Sequence, residues 1–371
     1  MTELYPLRLP PSFRERIWGS YDLAPVFGRQ EKKIGEVWYS FDENVIANGP
    51  LEGHTLAALM AERGRELLGE SPATKNRGLS QAPSADPHSQ SGPQKARSGL
   101  SPFFRPPSKP SFPILAKLLF TSDCLSVQVH PKDDYALATE GGPGKTEMWH
   151  VVAAEPGAAV ALGLTAKLSP DELRRTAESG EIESYLNWVE VRSGHSIFVP
   201  AGTLHAIGPG LVLCEIQQSS DLTYRFHDFG RLDAYGQPRE LHIDKAVEVT
   251  EQKTHPGPIS PVRLPGGDYV RELLVDCPYF TVERWAWERA IKYPHHPDHA
   301  DLLIFLRGEG RIGGHPYSPG DAYLVPAGLR GLTLAPNSPS EVISSYVPDL
   351  DVVRAELSAE GADGATPVVV P

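Results

Sequence analysis

The sequence has few cysteines and no long apolar run. Cys124, Cys214 and Cys277 are widely spaced, and each lies in an apolar, strand-like segment. An odd number of distant thiols does not make a disulfide framework, so we expect buried thiols in a reducing cytoplasm. No apolar stretch reaches the roughly 18 residues of a membrane span, and no apolar run follows a basic start. The sequence therefore predicts neither a membrane helix nor a signal peptide.

An excess of positive charge is also absent. The chain has 35 lysines and arginines against 47 acidic residues, which gives a formal net charge of -12. This balance argues against a broad basic face for nucleic acid. An acidic protein that binds an anionic substrate must place individual cations in its pocket. Single lysines and arginines beside polar motifs are therefore candidates for contact with an anionic substrate.

Proline and glycine are abundant, and most of the chain reads as short β-segments between turns. There are 36 prolines and 34 glycines among 371 residues, a length that suggests two domains. Several segments alternate apolar and polar residues, as half-buried strands do, which indicates a mainly β protein of the sandwich, barrel or jelly-roll class. Helices are predicted after Thr55 and after Ser169. The latter forms a capping box with Glu172 and precedes Pro170 at the first helical position.

The segment from Ser71 to Pro110 has a different composition. It is rich in proline, serine, glycine and basic residues, has Asp86 as its only acid, and is nearly free of apolar residues before Phe103. Such a segment cannot bury enough apolar surface to fold by itself. We predict a disordered insertion within the first domain.

A short internal repeat divides the chain. Residues 194–205 and 320–331 both fit Gly-x5-Pro-x-Gly-x2, followed by His205 in the first copy and Gly331 in the second. Two copies of one strand–turn unit predict two similar barrels. Because only the first copy keeps the imidazole, we expect a metal site in the first barrel only. The predicted domains are residues 1–255 and 256–371.

Four polar residues sit where apolar ones are expected. Gln128 and His130 are two apart on one strand and so share a face, while Glu147 interrupts a strand of core residues and His205 follows a tight turn. A buried carboxylate needs a cation nearby. Two imidazoles, a carboxylate and an amide oxygen make a sensible ligand set for Zn²⁺ or another divalent ion. Taken singly, a strand histidine is more often structural.

Other charged residues lie close to these four. Lys145 is two residues before Glu147 and therefore on the same strand face, where we expect a lowered pKa that suits proton transfer. Lys132 follows the metal strand and is a phosphate candidate or simply an exposed loop lysine. Glu215 alternates with Gln217 on another strand and either lines the lumen or has a structural role. His295, His296 and His299 lack an acidic partner at strand spacing and are interpreted as a loop.

Together these motifs resemble a known family. The element ending at His205 looks like the second cupin motif, and VQVHP, GKTEMWH, VPAGTLHAIG and EIQQSSDLTYRFHDFGR look like the type I mannose-6-phosphate isomerases, as do RIWGS, GEVWYS and GPLEGHTLAALM. The resemblance runs from about residue 14 to about residue 250 around the insertion. The remainder is similar only as a second cupin barrel, so the resemblance implies two cupin-type jelly-roll barrels with a few helices.

The resemblance also implies roles for individual residues. One zinc ion per chain would be held by Gln128, His130, Glu147 and His205. Arg225 and Lys145 would be catalytic, and we add Lys132 and Glu215 as candidates for substrate binding. The chain departs from the family in having Pro209 where an asparagine often follows the cupin histidine, and it lacks the helical insertion of longer members, so it is similar to the short bacterial form.

The expected function is therefore an isomerase that interconverts mannose 6-phosphate and fructose 6-phosphate by metal-assisted proton transfer between C1 and C2 through an enediol. Arg225 would stabilise the enediolate oxygen or grip the phosphate. The alternatives are a non-haem metal oxygenase of the cupin class and a non-catalytic sugar-binding cupin. We expect a cytoplasmic monomer whose partner is a small sugar phosphate, with no nucleic acid and no membrane.

Overall fold

A computed structural model of the chain describes residues 4–69, 111–233, 236–294 and 298–348, and these residues are mainly β. The predicted disordered insertion lies outside the described residues, as do His295 and His296. In the described ranges no helix is long and apolar enough to cross a membrane. The three thiols are free, and Cys214 and Cys277 are buried as predicted. Cys124 is only half-buried, which corrects that expectation.

The helices and strands of the first half have the following bounds. The α-helices are α1 (Leu56–Leu68), α2 (Asp133–Thr139), α3 (Pro170–Ser179) and α4 (Ile243–Val249). The strands are β1 (Leu7–Leu9), β2 (Ser12–Ser20), β3 (Ile34–Trp38), β4 (Ile114–Thr121), β5 (Val127–Val129), β6 (Glu147–Ala154), β7 (Ala159–Leu164), β8 (Leu186–Glu190), β9 (Ser196–Val199), β10 (His205–Ile207), β11 (Leu211–Gln218) and β12 (Tyr224–His227).

Strands make up the second half as the structure describes it. They are β13 (Val262–Leu264), β14 (Val270–Asp276), β15 (Thr281–Trp287), β16 (Ile291–Lys292), β17 (Asp301–Arg307), β18 (Gly310–Ile312), β19 (His315–Tyr317), β20 (Ala322–Val325), β21 (Thr333–Pro336) and β22 (Ser340–Tyr346). The bounds of α1 and α3 agree with the sequence. Thr55 caps α1 by accepting from the Ala58 amide, and the predicted capping box of Ser169 and Glu172 is present at α3.

The same sheet topology occurs twice along the chain. The first half has a six-stranded sheet in the order β2-β3-β4-β11-β6-β9 and a five-stranded sheet in the order β12-β5-β10-β7-β8. The second half repeats this with β13-β14-β15-β22-β17-β20 and β16-β21-β18-β19. There are two exceptions among the described strands. β12 has no counterpart in the four-stranded sheet, and β1 pairs antiparallel with β20, Leu7 opposite Leu324. Each half thus has a large sheet and a small sheet in equivalent order.

Apolar layers fill the spaces between these sheets. One cluster, with Trp149 and Leu162, joins the six- and five-stranded sheets, and another, with Phe305 and Ile312, joins the seven- and four-stranded sheets. A larger cluster packs the two large sheets against each other and against α1. Because these sheets are covered on both sides here, strands such as β4 are buried along their whole length.

His150 lies where the two large sheets meet. It is buried, its Nδ1 is 2.9 Å from the Ser196 hydroxyl, and its Nε2 is 4.0 Å from Glu341 of the second half. Glu341 is itself paired with Arg284 at 3.1 Å. Burial, with a contribution from the Arg284 charge, lowers the pKa of His150 to about 3. The imidazole is therefore neutral in the folded protein at all mildly acidic pH values.

Because His150 is neutral in the folded protein, the free energy of unfolding should decrease as the pH is lowered. The unfolded chain binds a proton at His150 with a pKa near 6.5 and the folded chain only near 3, so stability is lost as the pH falls through that window. Between about pH 7.5 and pH 5 the unfolding free energy of the wild type should drop about 2 kcal/mol more than that of His150→Gln. Urea unfolding at the two pH values measures this. The exposed His54→Gln is the control, and an equal drop in all three proteins would contradict the prediction.

Candidate metal centre

The register of the five-stranded sheet aligns three of the predicted site residues. His205 on β10 is paired directly with Gln128 on β5, and Gln128 is paired with Arg225 on β12. Directly opposed residues of antiparallel strands project to the same face. The side chains of Arg225, Gln128 and His205 therefore form one row across the inner face of this sheet.

Glu147 reaches the same point from the opposite sheet. It lies on β6 of the six-stranded sheet, fully buried, with one oxygen 3.4 Å from His205 Nε2 and the other 3.5 Å from His130 Nε2. Among the described residues, His130, Glu147 and His205 form a group whose possible ligand atoms all lie within 4.8 Å of one another. The structure thus brings together the predicted ligands from elements far apart in sequence.

Both imidazoles are oriented by backbone carbonyls. His130 Nδ1 lies 2.9 Å from the carbonyl of Leu222, and His205 Nδ1 lies 2.8 Å from that of Thr203. A carbonyl accepts only, so Nδ1 carries the proton and the Nε2 lone pair points towards Glu147. Burial lowers the pKa of both rings, that of His130 to about 3 with help from the Lys145 charge. Both are neutral and ready to donate to a cation.

Glu147 lacks the hydrogen bonds that a buried carboxylate requires. In the described part of the chain neither oxygen accepts a hydrogen bond, although Oε2 lies 2.6 Å from Lys145 Nζ. Burial alone would raise its pKa, but Lys145 and His130 hold the pKa well below the usual range. A charged, buried and unsatisfied carboxylate between two neutral imidazoles fits a divalent cation. Gln128 adjoins this group, with its amide nitrogen 3.3 Å from His205 Nε2.

Lys145 lies beside the ligand group as predicted, but its electrostatics differ from the prediction. Its ammonium nitrogen is 3.0 Å from His130 Nε2 and is buried. Burial favours a lower pKa, yet the carboxylates of Glu147 and Glu215 outweigh it and raise the pKa above the ordinary value. The expectation of a lowered pKa is therefore wrong, because the sequence did not reveal two carboxylates around one lysine. Lys145 is a fixed positive charge here.

Arg225 is held by neutral groups rather than by a carboxylate. Its Nη1 donates to the Glu240 carbonyl at 2.8 Å, and within the described residues its Nε has no hydrogen-bond partner. The carboxylate of the nearby Asp228 pairs instead with Arg231, at 2.6 Å, and with Arg239. Burial and the charge of Arg239 lower the pKa of Arg225 to about 10. It remains charged at neutral pH and has donors to offer an anion.

Glu215 belongs to a buried cluster that sequence reasoning found only in part. It accepts from Trp149 Nε1 at 3.1 Å and lies 3.5 Å from Lys117 Nζ, which is also 3.8 Å from Asp221. Burial and the neighbouring Glu147 raise the pKa of Glu215. Lys117 and Asp221 were missed. The available signal was one lysine inside the apolar strand ILAKLLFT, where a charge needs a buried partner.

The side chain of Lys132 forms an ion pair with a residue outside the ligand group. Its side chain is about half exposed and pairs with Glu251, which also pairs with Lys253 at 2.7 Å. The residue precedes α2, so its backbone adjoins the strand that carries His130. Its ammonium is already neutralised, which weakens its candidacy as a phosphate ligand relative to Arg225.

Comparison with known proteins places the chain among sugar-phosphate isomerases. No family model matches it. Mannose-6-phosphate isomerase ManA of Bacillus subtilis is 34% identical over 335 residues, which are 87% of this chain and 94% of that protein. The mannose-6-phosphate isomerase of Streptococcus mutans is 33% identical over 351 residues, 92% and 98% of the two chains.

Solved structures agree with these relatives. The crystal structure of the Bacillus subtilis mannose 6-phosphate isomerase matches with a TM-score of 0.75 at 30% identity, covering 92% of this chain and 99% of that one. A putative mannosephosphate isomerase from Archaeoglobus fulgidus matches with a TM-score of 0.66 at 18% identity, covering 94% and 99% of the two chains, which supports the fold alone. The similarity spans both halves of the molecule.

Proposed function

Because the chain belongs to the mannose-6-phosphate isomerase family, we propose that the site around Glu147 interconverts D-mannose 6-phosphate and D-fructose 6-phosphate. The observation that carries this proposal is the buried, unsatisfied carboxylate of Glu147 between the Nε2 atoms of His130 and His205. A site of this kind, with Arg225 and Lys145 beside it, suits an anionic substrate whose carbonyl must be polarised.

We propose that one Zn²⁺ per chain is bound by His130, Glu147, His205 and the amide oxygen of Gln128. The two neutral imidazoles and the carboxylate are the ligand types that zinc prefers, and rotation of the Gln128 amide brings its oxygen to the position of its nitrogen. A bound zinc ion would act as a Lewis acid on the sugar carbonyl without redox chemistry. Lys145 would hold Glu147 charged and oriented for this role.

The other polar residues would handle the substrate. Arg225 lies in the row of Gln128, and its Nε has no hydrogen-bond partner among the described residues. It would stabilise the enediolate oxygen or grip the phosphate in bidentate fashion. Glu215 has a raised pKa and would hold a proton beside the sugar, with Lys117 maintaining its position. Lys132 remains a candidate for contact with the phosphate group of the substrate.

The architecture supports a finer proposal as well. We take the two repeated pairs of sheets as two cupin-type jelly-roll barrels, residues 1–255 and 256–371, with the metal site in the first. Two pairings among the described residues cross this division, that of β1 with β20 and the isolated bridge between Ser196 and Ile259. A cytoplasmic monomer is proposed, in accord with the free thiols.

Two other functions compete with the isomerase. Two histidines and one carboxylate are also the ligand set of non-haem iron oxygenases. The amide of Gln128 lies in the row of His205, and the buried ammonium of Lys145 lies beside His130. Both features favour the isomerase. A non-catalytic sugar-binding cupin has no need for a buried Glu215 of raised pKa beside the metal ligands.

Removal of the metal tests the proposal directly. Purified protein should form fructose 6-phosphate from mannose 6-phosphate, lose this activity to a chelator and regain it on addition of zinc, because the bound ion would supply the Lewis acid that polarises the carbonyl. Zinc content is measured in parallel. If fully zinc-loaded protein shows no turnover the isomerase proposal fails, and iron content with oxygen uptake would instead support the oxygenase.

A further inference from the structure

The segment that leads into the metal-site carboxylate has no regular secondary structure. Residues 143–146 include Lys145, end directly before Glu147, and belong to no helix or strand. The glycines of the run GGPGKT give this backbone many conformations in isolation. A metal centre, in contrast, needs its ligands held to within about 0.5 Å. The position of Glu147 therefore depends on the contacts that fix this segment.

Gln218, at the end of β11, holds the segment by two hydrogen bonds. Its Oε1 accepts from the backbone amide of Thr146 at 2.8 Å, and its own backbone amide donates to the Thr146 carbonyl at 3.1 Å. The first bond fixes the peptide that joins Lys145 to Thr146, and the second fixes the peptide that joins Thr146 to Glu147. Gln218 is buried, so water does not compete for these bonds.

Asp133 holds the other end of the Gln218 side chain. Nε2 of Gln218 donates to Asp133 Oδ1 at 2.8 Å, and the same oxygen accepts from the backbone amide of Gly144 at 2.8 Å. A carboxylate only accepts and a backbone amide only donates, so the orientation of the Gln218 amide is unambiguous. Asp133 is the first residue of α2, which closely follows His130. The segment before Glu147 is thus tied to the segment after His130.

The backbones of these two segments are in direct contact. The amide of Lys145 donates to the carbonyl of Pro131 at 3.2 Å. A Cβ atom at Gly144 would lie 2.6 Å from that carbonyl oxygen and 2.7 Å from the nitrogen of Asp133, which is too close for any side chain. Because no side chain separates the two segments, the position of one sets the position of the other.

The turn before the third ligand is reached through the Thr146 side chain. Its Oγ1 accepts from the amide of Ala201 at 3.3 Å, in the tight turn that precedes His205. The amide of Gly202 in the same turn donates to the carbonyl of His130 at 2.7 Å. The hydrogen bonds that start at Gln218 therefore reach backbone close to all three grouped ligands.

Gln218 acts on the metal centre only through this backbone. Its neighbour Gln217 is paired with Glu147 across the strands, and successive side chains of a strand project to opposite faces. The Gln218 side chain therefore points away from the face that carries Glu147. Its two polar atoms are bonded to Thr146 and Asp133.

We propose that Gln218 is a positioning residue of the metal centre, which sets the spacing of Glu147 from the two imidazoles. It acts through Thr146 and Asp133, and the proposal rests on the zinc site proposed above. Residues that orient a ligand without touching the ion contribute about 10–100-fold to metal affinity. The contribution of Gln218 is therefore measured as zinc affinity rather than as stability alone.

Gln218→Met tests this role, because it keeps a long unbranched side chain but removes both side-chain hydrogen bonds. The zinc-loaded full chain is titrated with a chromophoric chelator, and thermal unfolding is followed in parallel. The zinc Kd should rise about 10–100-fold. Asp133→Ala should also raise it, and the double variant should show less than the product of the two factors, since both act through one connection. Asp133→Asn keeps an oxygen for both bonds and should raise the Kd by less than about fivefold.

Thr121→Val is the matched control. Thr121 lies at the other end of the β4–β11 pairing and is similarly buried. Its hydroxyl also joins two backbone groups, since it donates to the Gly208 carbonyl at 2.8 Å and accepts from the Leu211 amide at 3.0 Å. The substitution should lower thermal stability as Gln218→Met does, while the zinc Kd changes by less than about twofold.

Three results would overturn the proposal. They are an equal zinc Kd in Gln218→Met and Thr121→Val, an unchanged Kd in Asp133→Ala, and a wild-type chain that binds no zinc. If Gln218→Met does not fold, the two variants of Asp133 decide, and an equal Kd in Asp133→Ala and Asp133→Asn overturns it. Because zinc binding is measured without turnover, failure of the isomerase assay leaves this result unaffected.

Discussion

Replacing Glu147 with glutamine should remove both the bound zinc and the isomerase activity. The substitution keeps the volume of the side chain but removes the one carboxylate that faces His130 and His205. Loss of a residue that merely supports a ligand costs about 10–100-fold in metal affinity, and loss of a direct charged ligand should cost more. Lewis-acid assistance worth about 4 kcal/mol corresponds to a fall in kcat/KM of about a thousandfold.

Two measurements separate this result from simple unfolding. Zinc per chain is determined by elemental analysis after dialysis, and thermal unfolding is followed by circular dichroism. Glu190→Gln, an exposed residue of β8, is the matched control and should keep its zinc and its activity. A Glu147→Gln protein that retains full zinc and turns over at the wild-type rate would show that this carboxylate is not a ligand.

Replacing Arg225 with alanine should lower kcat/KM by about a hundred- to a thousandfold while zinc content stays unchanged. Arg225 lies next to Gln128 in the row but is not among the grouped ligands, and its donors are available to an anion. Removing one such donor from a developing oxyanion has that magnitude. Arg192→Ala, an exposed arginine, is the control and should match the wild type.

The kinetic pattern distinguishes the two roles open to Arg225. If it stabilises the enediolate, kcat falls for mannose 6-phosphate and for unphosphorylated mannose alike. If it grips the phosphate, the effect is confined to the phosphorylated sugar. An Arg225→Ala enzyme with wild-type kcat and KM for mannose 6-phosphate would exclude both roles.

Local sequence patterns marked each candidate ligand singly. Gln128 and His130 share a strand face, Glu147 interrupts a core strand, and His205 follows a tight turn, so each position is marked by its immediate neighbours. Their convergence came from the resemblance, since short patterns do not say which strands pair. The structure adds the register that aligns Gln128 with His205.

The residues that sequence reasoning missed depend on long-range pairing. Lys117 meets Glu215 only because β4 and β11 are neighbours, and Asp221 joins them from a loop. The direction of the Lys145 pKa was mispredicted for the same reason. Its second carboxylate, Glu215, lies 70 positions further along the chain and leaves no trace near Lys145 in the sequence. The burial of β4 along its whole length likewise arises from packing between halves.

The pairing of β1 with β20 affects how the chain can be assembled. The residues Leu7, Arg8 and Leu9 pair with Leu324, Tyr323 and Ala322, which lie more than 300 positions further along the chain. Contacts between residues so far apart in sequence form slowly, so we expect β1 to pair late in folding. Once it pairs, a strand of three residues replaces β20 at the edge of the sheet, and so short an edge strand offers little for a strand of another molecule to join. We therefore expect β1 to complete the sheet late and, by shortening its edge, to reduce aggregation through β20.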